Sequence, residues 1–370
     1  MGVFEVFTDY NHEQVVFCQD KVSGLKAIIA IHSTALGPSL GGTRMWQYAN
    51  DDEALVDALR LSKGMTYKAA VAGLNLGGGK AVIIGNSATQ KNELLFRTFG
   101  KFVEGLAGRY ITAEDVGTSV RDMEYVRMET TYVTGISQTL GGSGDPSPVT
   151  GYGVYVGMKA CANEMWGNDS LKNKKIVVQG AGKVASYLCE HLDSESAEIY
   201  VCDINEDRIK ELASRVKVNV INPEEVYEIE ADIFSPNALG AIINDETIDR
   251  IKAPIIAGGA NNQLKDEKKH GKILMDKGVL YAPDYVINAG GLINVANELE
   301  GYIRDRALAQ AESIYSVLKN IFKTSKEENI PTFEASNKIA EDRIKNISGL
   351  NRIYSGKSEF SGKFNHFFRR

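Results

Sequence analysis

Cysteine, long apolar runs and excess positive charge are all scarce in this 370-residue chain. Its four cysteines show no paired spacing, which argues against a disulfide framework and against a metal-ligand set. No apolar run reaches the ~18 residues that a membrane span requires. The net charge of -6 implies no broad basic surface for nucleic acid. We therefore expect a cytoplasmic enzyme with reduced thiols and with no metal, membrane or nucleic-acid partner.

Histidine is also scarce, which matters because many hydroxy-acid dehydrogenases use one to move protons. The chain has five histidines: His12, His32, His191, His270 and His366. None of them lies in a glycine-rich or polar segment that is typical of a site. His32 ends an apolar run and is predicted to be structural, whereas His191 is predicted to face solvent. Proton transfer is therefore expected to depend on other residue types.

The length of the chain indicates two domains, because single hydrophobic cores stop growing at roughly 250–300 residues. The clearest linker is G-G-S-G-D-P-S-P at residues 141–148, since its glycines and prolines continue neither a helix nor a central strand. We predict a first α/β domain over residues 1–140, joined by residues 330–370. A second domain is predicted over residues 141–329.

Strand-like runs in the second domain alternate with helical segments, which is typical of a doubly wound parallel sheet. The runs are residues 175–180, 198–203, 232–235 and 254–257. In the first domain, residues 26–32 and 81–84 read as strands and residues 92–106 as a helix. Another helix is predicted to begin at Asp51 or Asp52 and to end at Gly64. A long helix over residues 294–324 and a final helix over residues 333–347 complete the prediction.

A dinucleotide fingerprint follows the first strand of the second domain. The G-x-G-x-x-A pattern consists of Gly180, Gly182 and Ala185, and a helical segment begins directly after it. Gly180 makes the tight turn, Gly182 admits a pyrophosphate to the backbone, and the helix N-terminus offers N–H groups to phosphate. The alternative is a tight turn with no nucleotide.

A carboxylate stands where the fingerprint requires one. The next strand-like run ends at Asp203, where an acidic side chain would hold the adenosine ribose hydroxyls. Asp203 would also repel a 2′-phosphate, so NAD is favoured over NADP. Arg208 leaves NADP open, because a nearby arginine can accommodate that phosphate.

Two lysines and a triple glycine share one short segment of the first domain. Lys68 and Lys80 lie twelve residues apart, and G-G-G at 77–79 directly precedes the second. A lysine acts as a base near neutral pH only if its pKa falls from ~10.4 to ~7–8, through burial or a neighbouring cation. Lys68 is the candidate for that cation. The alternative is a glycine-rich turn flanked by two surface lysines.

Other polar residues follow predicted strands. Asp115 comes after a strand-like run, where it would relay protons beside Lys80 or act only as a turn residue. Asn261 and Asn262 follow another strand, where carboxamides suit a nicotinamide ribose. Asn288 precedes A-G-G, a segment whose glycines would let the backbone approach the nicotinamide ring closely. Ordinary turn chemistry is the alternative for these asparagines.

Together these segments resemble the Glu/Leu/Phe/Val amino-acid dehydrogenase family, and most closely its leucine-acting members. The resemblance extends in order over nearly the whole chain, through residues 36–46, 64–80, 111–117, 144–150 and 285–295. It implies reversible NAD-dependent oxidative deamination of an L-amino acid to the 2-oxo acid and ammonia. It also implies a homo-oligomer, with an octamer the leading possibility. The N-terminal residues and residues 363–370 would be contact surfaces.

The resemblance implies catalytic roles for three residues. Lys68 would bind the substrate carboxylate, Lys80 would activate water, and Asp115 would transfer protons. The implied substrate contacts are Leu40, Gly41, Gly42, Met65, Lys68, Gly77, Gly78, Ala113, Thr134, Asn262, Leu292 and Val295. The implied cofactor contacts are Thr150, Gly180, Gly182, Lys183, Val184, Asp203, Asn261 and Asn288.

The side-chain pocket implied by the resemblance is small and aliphatic, which suits leucine, valine or isoleucine. It comprises Leu40, Ala113, Thr134, Leu292 and Val295. An aromatic amino-acid dehydrogenase and a catalytically silent NAD-binding regulator stay open as alternatives. The chain departs from the family pattern at three positions: Gly151 replaces alanine, Lys183 replaces asparagine, and Leu292 replaces valine.

Overall fold

A computed structural model describes residues 10–352, which form two compact units. Among the described residues, the first unit comprises 10–145, 295–304 and 340–352, and the second comprises 146–294 and 305–339. The prediction places residues 141–145 and 295–304 in the second domain and residues 330–339 in the first, whereas the structure assigns each of these ranges to the other unit. His366 and both predicted contact surfaces, at the N-terminus and at residues 363–370, lie outside the described residues.

The first unit contains a mixed five-stranded sheet in the order β1-β2-β4-β3-β5. Its strands are β1 (Gln14–Asp20), β2 (Leu25–Ser33), β3 (Ser39–Trp46), β4 (Gly77–Ile84) and β5 (Tyr110–Glu114). Strand β2 pairs antiparallel with β1 and β4, whereas β3 runs parallel to β4 and β5. This order places β3 between β4, which contains Lys80, and β5, which Asp115 directly follows.

Helices cover both faces of this sheet because the strands are apolar on both sides. Helix α1 (Asp51–Val71) packs on the face that carries Ile28 and Val82. Helices α2 (Glu93–Glu104) and α3 (Val120–Arg127) pack on the opposite face, which carries Ile29 and Ile83. Asparagine and serine side chains cap these helices by accepting backbone N–H groups in the first turn: Asn50, Asn92 and Ser119.

The predicted end of α1 at Gly64 is wrong, because the helix continues to Val71. A glycine inside a helix costs only about 1 kcal/mol relative to alanine. The buried face continues through Thr66 and Ala69, and its packing on the sheet outweighs that cost. Met65 and Lys68 therefore lie on a helix rather than in a loop.

The second unit contains a six-stranded parallel sheet, which confirms the predicted doubly wound fold. The order is β11-β10-β9-β6-β7-β8. The strands are β6 (Lys175–Gln179), β7 (Glu198–Cys202), β8 (Asn219–Val220), β9 (Ile233–Pro236), β10 (Ile255–Ile256) and β11 (Leu280–Tyr281). The first helices of the unit are α4 (Ser147–Trp166), α5 (Lys183–Ser194), α6 (Glu206–Ala213), α7 (Glu267–Asp276) and α8 (Asp284–Ile287).

Two predictions about helix ends are corrected by the structure. Pro148 lies inside the first turn of α4 rather than in a linker, because a proline lacks only an N–H that has no partner there anyway. The predicted helix over residues 294–324 is interrupted at Gly301, whose φ of 78° lies in the left-handed region. The segments there are α9 (Gly290–Ala296), a 3-10 turn (Asn297–Glu300), α10 (Arg304–Ala311) and α11 (Ser313–Glu328).

The last described helix, α12 (Thr332–Ser348), follows the break that was predicted at Pro331. It begins in the second unit, and its C-terminal part belongs to the first. Within residues 10–352, no helix combines the length and apolar character needed to cross a bilayer. All four cysteines are buried free thiols.

Candidate active site

Lys80 is buried in the middle of the first unit. It lies on β4, only 5 % of its surface is exposed, and its Nζ is 2.8 Å from Oδ2 of Asp115. Asp115 follows directly after β5. The alternative of a surface lysine at position 80 is therefore excluded, and the predicted proximity of Lys80 and Asp115 is confirmed.

Arg44 joins this pair, although the sequence analysis did not name it. Arg44 lies on β3, and its Nε donates to Oδ2 of Asp115 at 3.0 Å. Its NH1 donates to Asp57 at 2.9 Å, and Asp57 also accepts a hydrogen bond from Tyr48. The available signal was a charged residue within the strand-like segment G-G-T-R-M. Two cations thus share one carboxylate oxygen.

Asp115 is held as a carboxylate by these neighbours. Burial raises the pKa of its carboxyl, but the charges and hydrogen bonds of Lys80 and Arg44 outweigh burial and bring the pKa below its usual value. Thr118 fixes the backbone there, because its Oγ1 accepts the Asp115 N–H at 2.9 Å. At neutral pH Asp115 is therefore an acceptor of protons in direct contact with a lysine.

Five predicted residues share the face of the sheet that α1 covers. Leu40 pairs with Gly78 on β4, and Gly42 pairs with Ala113 on β5. Because side chains alternate along a strand, Lys80 points to the same face as Gly78. The sheet register thus places Lys80 on the same face as Leu40 and Ala113, two of the residues proposed for the side-chain pocket. Gly41 and Gly77 belong to the opposite face.

The triple glycine lies within β4, so the alternative of a glycine-rich turn is excluded. A Cβ on Gly77 would lie 1.9 Å from the carbonyl oxygen of Ser33, and one on Gly78 would lie 2.1 Å from the backbone nitrogen of Thr66. The missing side chains let α1 and the neighbouring chain pack directly on this strand. Contact of Gly77 and Gly78 with substrate stays a prediction.

Lys68 lies in the last turn of α1, which is fixed by α12. Arg343 of α12 donates to the carbonyl oxygens of Ala70 and Leu74, at 3.2 and 2.7 Å. Both carbonyls lie at or just beyond the end of α1, so these bonds tie that end of the helix to α12. Tyr67 also donates to Glu341 at 2.7 Å. The structure thus immobilises the backbone that carries Lys68, and the carboxylate-binding role of Lys68 stays a prediction.

The remaining predicted substrate residues are divided between the units. In the first unit, Thr134 is buried and its N–H donates to the carbonyl of Thr112 at 2.8 Å. Val295 is buried there too. In the second unit, Leu292 is buried on α9, and Asn262 is exposed with a φ of 52°.

The dinucleotide fingerprint has the local geometry that its glycines imply. Gly180 has a φ of 100°, in the region that favours glycine, and Gly182 is the N-cap of α5. A Cβ on Gly182 would meet no atom of residues 10–352 within 4 Å, so open space lies beside the backbone. No side chain in that part of the chain caps this helix. The N–H groups that open α5, at Lys183 and Val184, therefore fit a phosphate group.

Asp203 contacts the fingerprint directly. Its Oδ2 accepts the N–H of Ala181 at 2.7 Å, and its Oδ1 accepts the N–H of Asn205 at 2.8 Å. Gly180 also donates to the carbonyl of Cys202, at 2.7 Å. The acid at the end of β7 is thus fixed beside the turn where a dinucleotide would bind.

A group of amide side chains comes from three loops, after β9, after β10 and after α8. Asn288 is buried and donates to Oδ1 of Asn261 at 2.7 Å and to the carbonyl of Gly259 at 3.2 Å. Asn237, which the sequence analysis missed, accepts the Gly259 N–H at 2.8 Å. Thr150 lies on α4, where its hydroxyl donates to the carbonyl of Pro146. The contact of Asn261 with Asn288 brings two predicted cofactor residues together.

Within residues 10–352, His12, His32 and His191 make contacts that are structural. Nδ1 of His32 is 2.7 Å from the hydroxyl of Thr66, and Nε2 of His12 is 2.6 Å from that of Ser62. The prediction for His32 is thus confirmed, whereas that for His191 is wrong. His191 is half-buried and stacks on Tyr155, with ring centroids 5.3 Å apart, because α4 packs against α5 there.

Comparisons with known proteins agree across both units. Residues 12–132 match the family model described as Glu/Leu/Phe/Val dehydrogenase, dimerisation domain. Residues 141–205 and 198–355 match the model described as Glutamate/Leucine/Phenylalanine/Valine dehydrogenase.

Individual relatives span nearly the whole chain. The leucine dehydrogenase of Thermoactinomyces intermedius is 57% identical over 344 residues, which are 93% of this chain and 94% of that protein. The leucine dehydrogenase of Geobacillus stearothermophilus is 57% identical over 347 residues, 94% of each. The crystal structure of L-tryptophan dehydrogenase from Nostoc punctiforme matches this chain with a TM-score of 0.84 and 45% sequence identity. The match covers 94% of this chain and 100% of that one.

Proposed function

The chain belongs to the Glu/Leu/Phe/Val dehydrogenase family, and from this premise we propose that it catalyses the reversible, NAD-dependent oxidative deamination of leucine, valine or isoleucine. The products are the 2-oxo acid and ammonia. The observation that carries the proposal is the buried Lys80–Asp115 contact on the same sheet face as Leu40 and Ala113. The 57% identity to leucine dehydrogenases supports the substrate class.

The proposed chemistry divides the reaction between the cofactor and this chain's residues. A bound nicotinamide dinucleotide supplies the hydride acceptor for Cα, and the fingerprint turn, Asp203 and the asparagine group would hold it. The Lys68 ammonium binds the substrate carboxylate, and Asp115 accepts a proton from the substrate amine. Loss of hydride then leaves an iminium on the substrate.

Lys80 and Asp115 complete the turnover. Lys80 removes a proton from the water that attacks the iminium carbon, and Asp115 exchanges protons with it across 2.8 Å. Asp115 returns its proton to the nitrogen and then takes the proton that Lys80 received from water. Lys80 can therefore remove the hydroxyl proton of the carbinolamine as the C–N bond breaks and ammonia leaves. Positive charge on Lys80 and Arg44 stabilises oxygen atoms that become negative during these steps.

The preference for aliphatic side chains rests on the pocket residues. Leu40, Ala113 and Val295 are buried apolar residues, and Thr134 is buried with its polar groups directed at Thr112. Arg44 is already paired with Asp57 and Asp115, so it offers no cation to the distal carboxylate of glutamate. One methylene changes selectivity by only about 1–3 kcal/mol, so activity on several aliphatic amino acids is expected.

An aromatic amino-acid dehydrogenase is the second candidate, because the tryptophan dehydrogenase of Nostoc punctiforme covers the chain at 45% identity. A silent NAD-binding regulator is the third, and it is disfavoured because Lys68, Lys80 and Asp115 are all present. Turnover is measured as NADH formation with leucine, valine, isoleucine, phenylalanine and tryptophan. Turnover highest on the aliphatic three supports the proposal. A preference for the aromatic pair would replace it with the second candidate, and no turnover on any would favour the third.

The family uses NAD or NADP, and we propose NAD for this chain. Asp203 lies against the fingerprint turn, and its charge opposes a 2′-phosphate. Arg208 and Lys183 are the cations that oppose this preference. Replacing Asp203 with serine keeps a hydrogen-bond acceptor and removes the charge, so relative use of NADP should rise about tenfold. Asp207→Ser, on exposed α6, is the matched control and should not change the NAD to NADP ratio.

The matched dimerisation domain implies a homo-oligomer, for which we propose an octamer. Light scattering on the full-length protein gives the mass in solution. A mass of one 40.5 kDa chain would contradict self-association. A stable dimer would contradict the octamer but not the homo-oligomer.

A further inference from the structure

Glu298 fastens two stretches of the first unit to each other. Its Oε1 accepts the N–H of Gly135 at 2.9 Å, the N–H of Ser143 at 2.6 Å and the hydroxyl of Ser143. Glu298 lies in the 3-10 turn Asn297–Glu300. One carboxylate oxygen therefore receives three donors from a segment more than 150 residues away in the chain.

The segment held by Glu298 is a compact loop. Gly144 donates to the carbonyl of Ile136 at 3.1 Å, and Gly142 donates to that of Ser137 at 3.0 Å. These bonds close the loop on itself, so residues 136–144 form one hydrogen-bonded piece. The bonds to Glu298 therefore fix the position of the whole piece.

Both ends of this connection adjoin predicted pocket walls. Gly135 directly follows Thr134, which is hydrogen-bonded to Thr112 beside β5. Glu298 follows Val295 by three residues, and Val295 is buried. A shift of Glu298 relative to Gly135 would change the separation of Thr134 and Val295.

We propose that Glu298 is a positioning residue that sets the spacing of Thr134 and Val295 and thereby the discrimination between substrate side chains. This inference rests on the proposed amino-acid dehydrogenase function. A pocket that selects among aliphatic side chains needs fixed walls, because misfit by one methylene is worth only a few kcal/mol. Three hydrogen bonds on one oxygen supply that rigidity.

The chemistry of the contact separates two substitutions. Glu298→Ala leaves two backbone N–H groups and a hydroxyl without their acceptor, at about 1–3 kcal/mol for each buried group. Glu298→Gln keeps an oxygen that can accept the same bonds. Burial raises the pKa of the Glu298 carboxyl, and the Ser143 and Gly135 donors oppose that effect. Glu300, an exposed residue of the same turn, provides the matched control Glu300→Gln.

The test compares kcat and KM for leucine and phenylalanine in the full-length protein and these variants. In Glu298→Ala, KM for leucine should rise and the leucine to phenylalanine ratio of kcat/KM should fall about tenfold, the scale of a one-methylene misfit. NAD affinity should not change. Glu298→Gln should restore most of the ratio, and Glu300→Gln should match the wild type. Equal losses on both substrates with a lowered Tm would overturn the inference, because they indicate a merely structural role.

A milder variant covers the case in which Glu298→Ala does not fold. Ser143→Ala removes only the hydroxyl donor and should lower the ratio in the same direction, by about threefold. An unchanged ratio in Ser143→Ala would then overturn the inference. Wild-type protein without turnover on any amino acid would instead contradict the proposed function. In that case, calorimetric binding of leucine and phenylalanine in the presence of NAD tests Glu298 by the same comparison.

Discussion

Arg44 donates through Nε to Oδ2 of Asp115, the same oxygen that Lys80 contacts. Strand β3 makes this possible because it lies between β4 and β5, so its side chains reach the ends of both neighbours. A carboxylate between two cations stays ionised even where burial opposes its charge. Asp115 is thereby available to accept a proton beside Lys80.

Replacing Lys80 with alanine should lower kcat by about 10²–10⁴-fold, the usual contribution of an acid–base group. NAD binding should survive, because the fingerprint belongs to the other unit. NADH formation and a separate NAD titration measure the two effects. Lys26→Ala removes an exposed lysine from the adjacent β2 and should leave both unchanged. Full turnover in Lys80→Ala would contradict the assignment of Lys80.

Replacing Arg44 with methionine should move the acid limb of the pH–rate profile to higher pH. The reason is that Arg44 lowers the pKa of Asp115, so its loss lets burial raise that pKa and protonate the carboxylate at a higher pH. The profile of kcat/KM against pH reports the shift. Arg60→Met is the control. Arg60 is an exposed residue that contacts Asp57 at 3.1 Å, and its ion pair is with Asp57 rather than with Asp115. An identical shift in both variants would show that the effect does not pass through Asp115.

Stability should fall as pH is lowered from about 6.5 towards 4. Burial lowers the pKa of His32 to about 4 and, together with the nearby charge of His32, lowers that of His12 to about 3, against an ordinary 6.5. The unfolded chain therefore binds protons in this range while the folded chain does not, and protons favour unfolding. Urea unfolding at several pH values measures the slope.

The variant with both His12→Gln and His32→Asn keeps polar groups near Ser62 and Thr66 but titrates at neither position. Its slope between pH 6.5 and 4 should be smaller than that of the wild type. Equal slopes would assign the acid sensitivity to other groups.

Two glycines in helices should respond to alanine in opposite directions. Gly64 lies inside α1, and no atom of the described residues lies within 4 Å of the added Cβ, so Gly64→Ala should stabilise the fold by about 0.5–1 kcal/mol. On Gly151 the Cβ would lie 2.8 Å from the Tyr187 Cβ and 2.9 Å from the Val184 carbonyl. Gly151→Ala should therefore destabilise by about 1–3 kcal/mol, because α4 must move away from α5. Chemical unfolding of both variants checks this, and a stabilised Gly151→Ala would be inconsistent with the packing.

Much of the candidate site was accessible from sequence because its signals are local. Gly180 adopts a positive φ, which glycine favours more than other residue types do. Asp203 directly follows the next strand of the same βαβ unit. Lys80 directly precedes one strand-like run, residues 81–84, and Asp115 directly follows another, so both patterns can be read within a dozen residues. Helix ends were less accessible, since Gly64 resembles a terminus until its packing on the sheet is known.

The sequence by itself determined the doubly wound second unit, the dinucleotide turn and the residue types that carry the chemistry, because each depends on neighbours close in the chain. The tertiary structure alone decided that Arg44 shares the oxygen of Asp115, that the glycines of β4 make room for α1, and that Glu298 holds the loop after Thr134. Each of these depends on which strands and turns pair across long separations. The physical reason is that such pairing follows from packing of the whole core, which no short window of residues encodes.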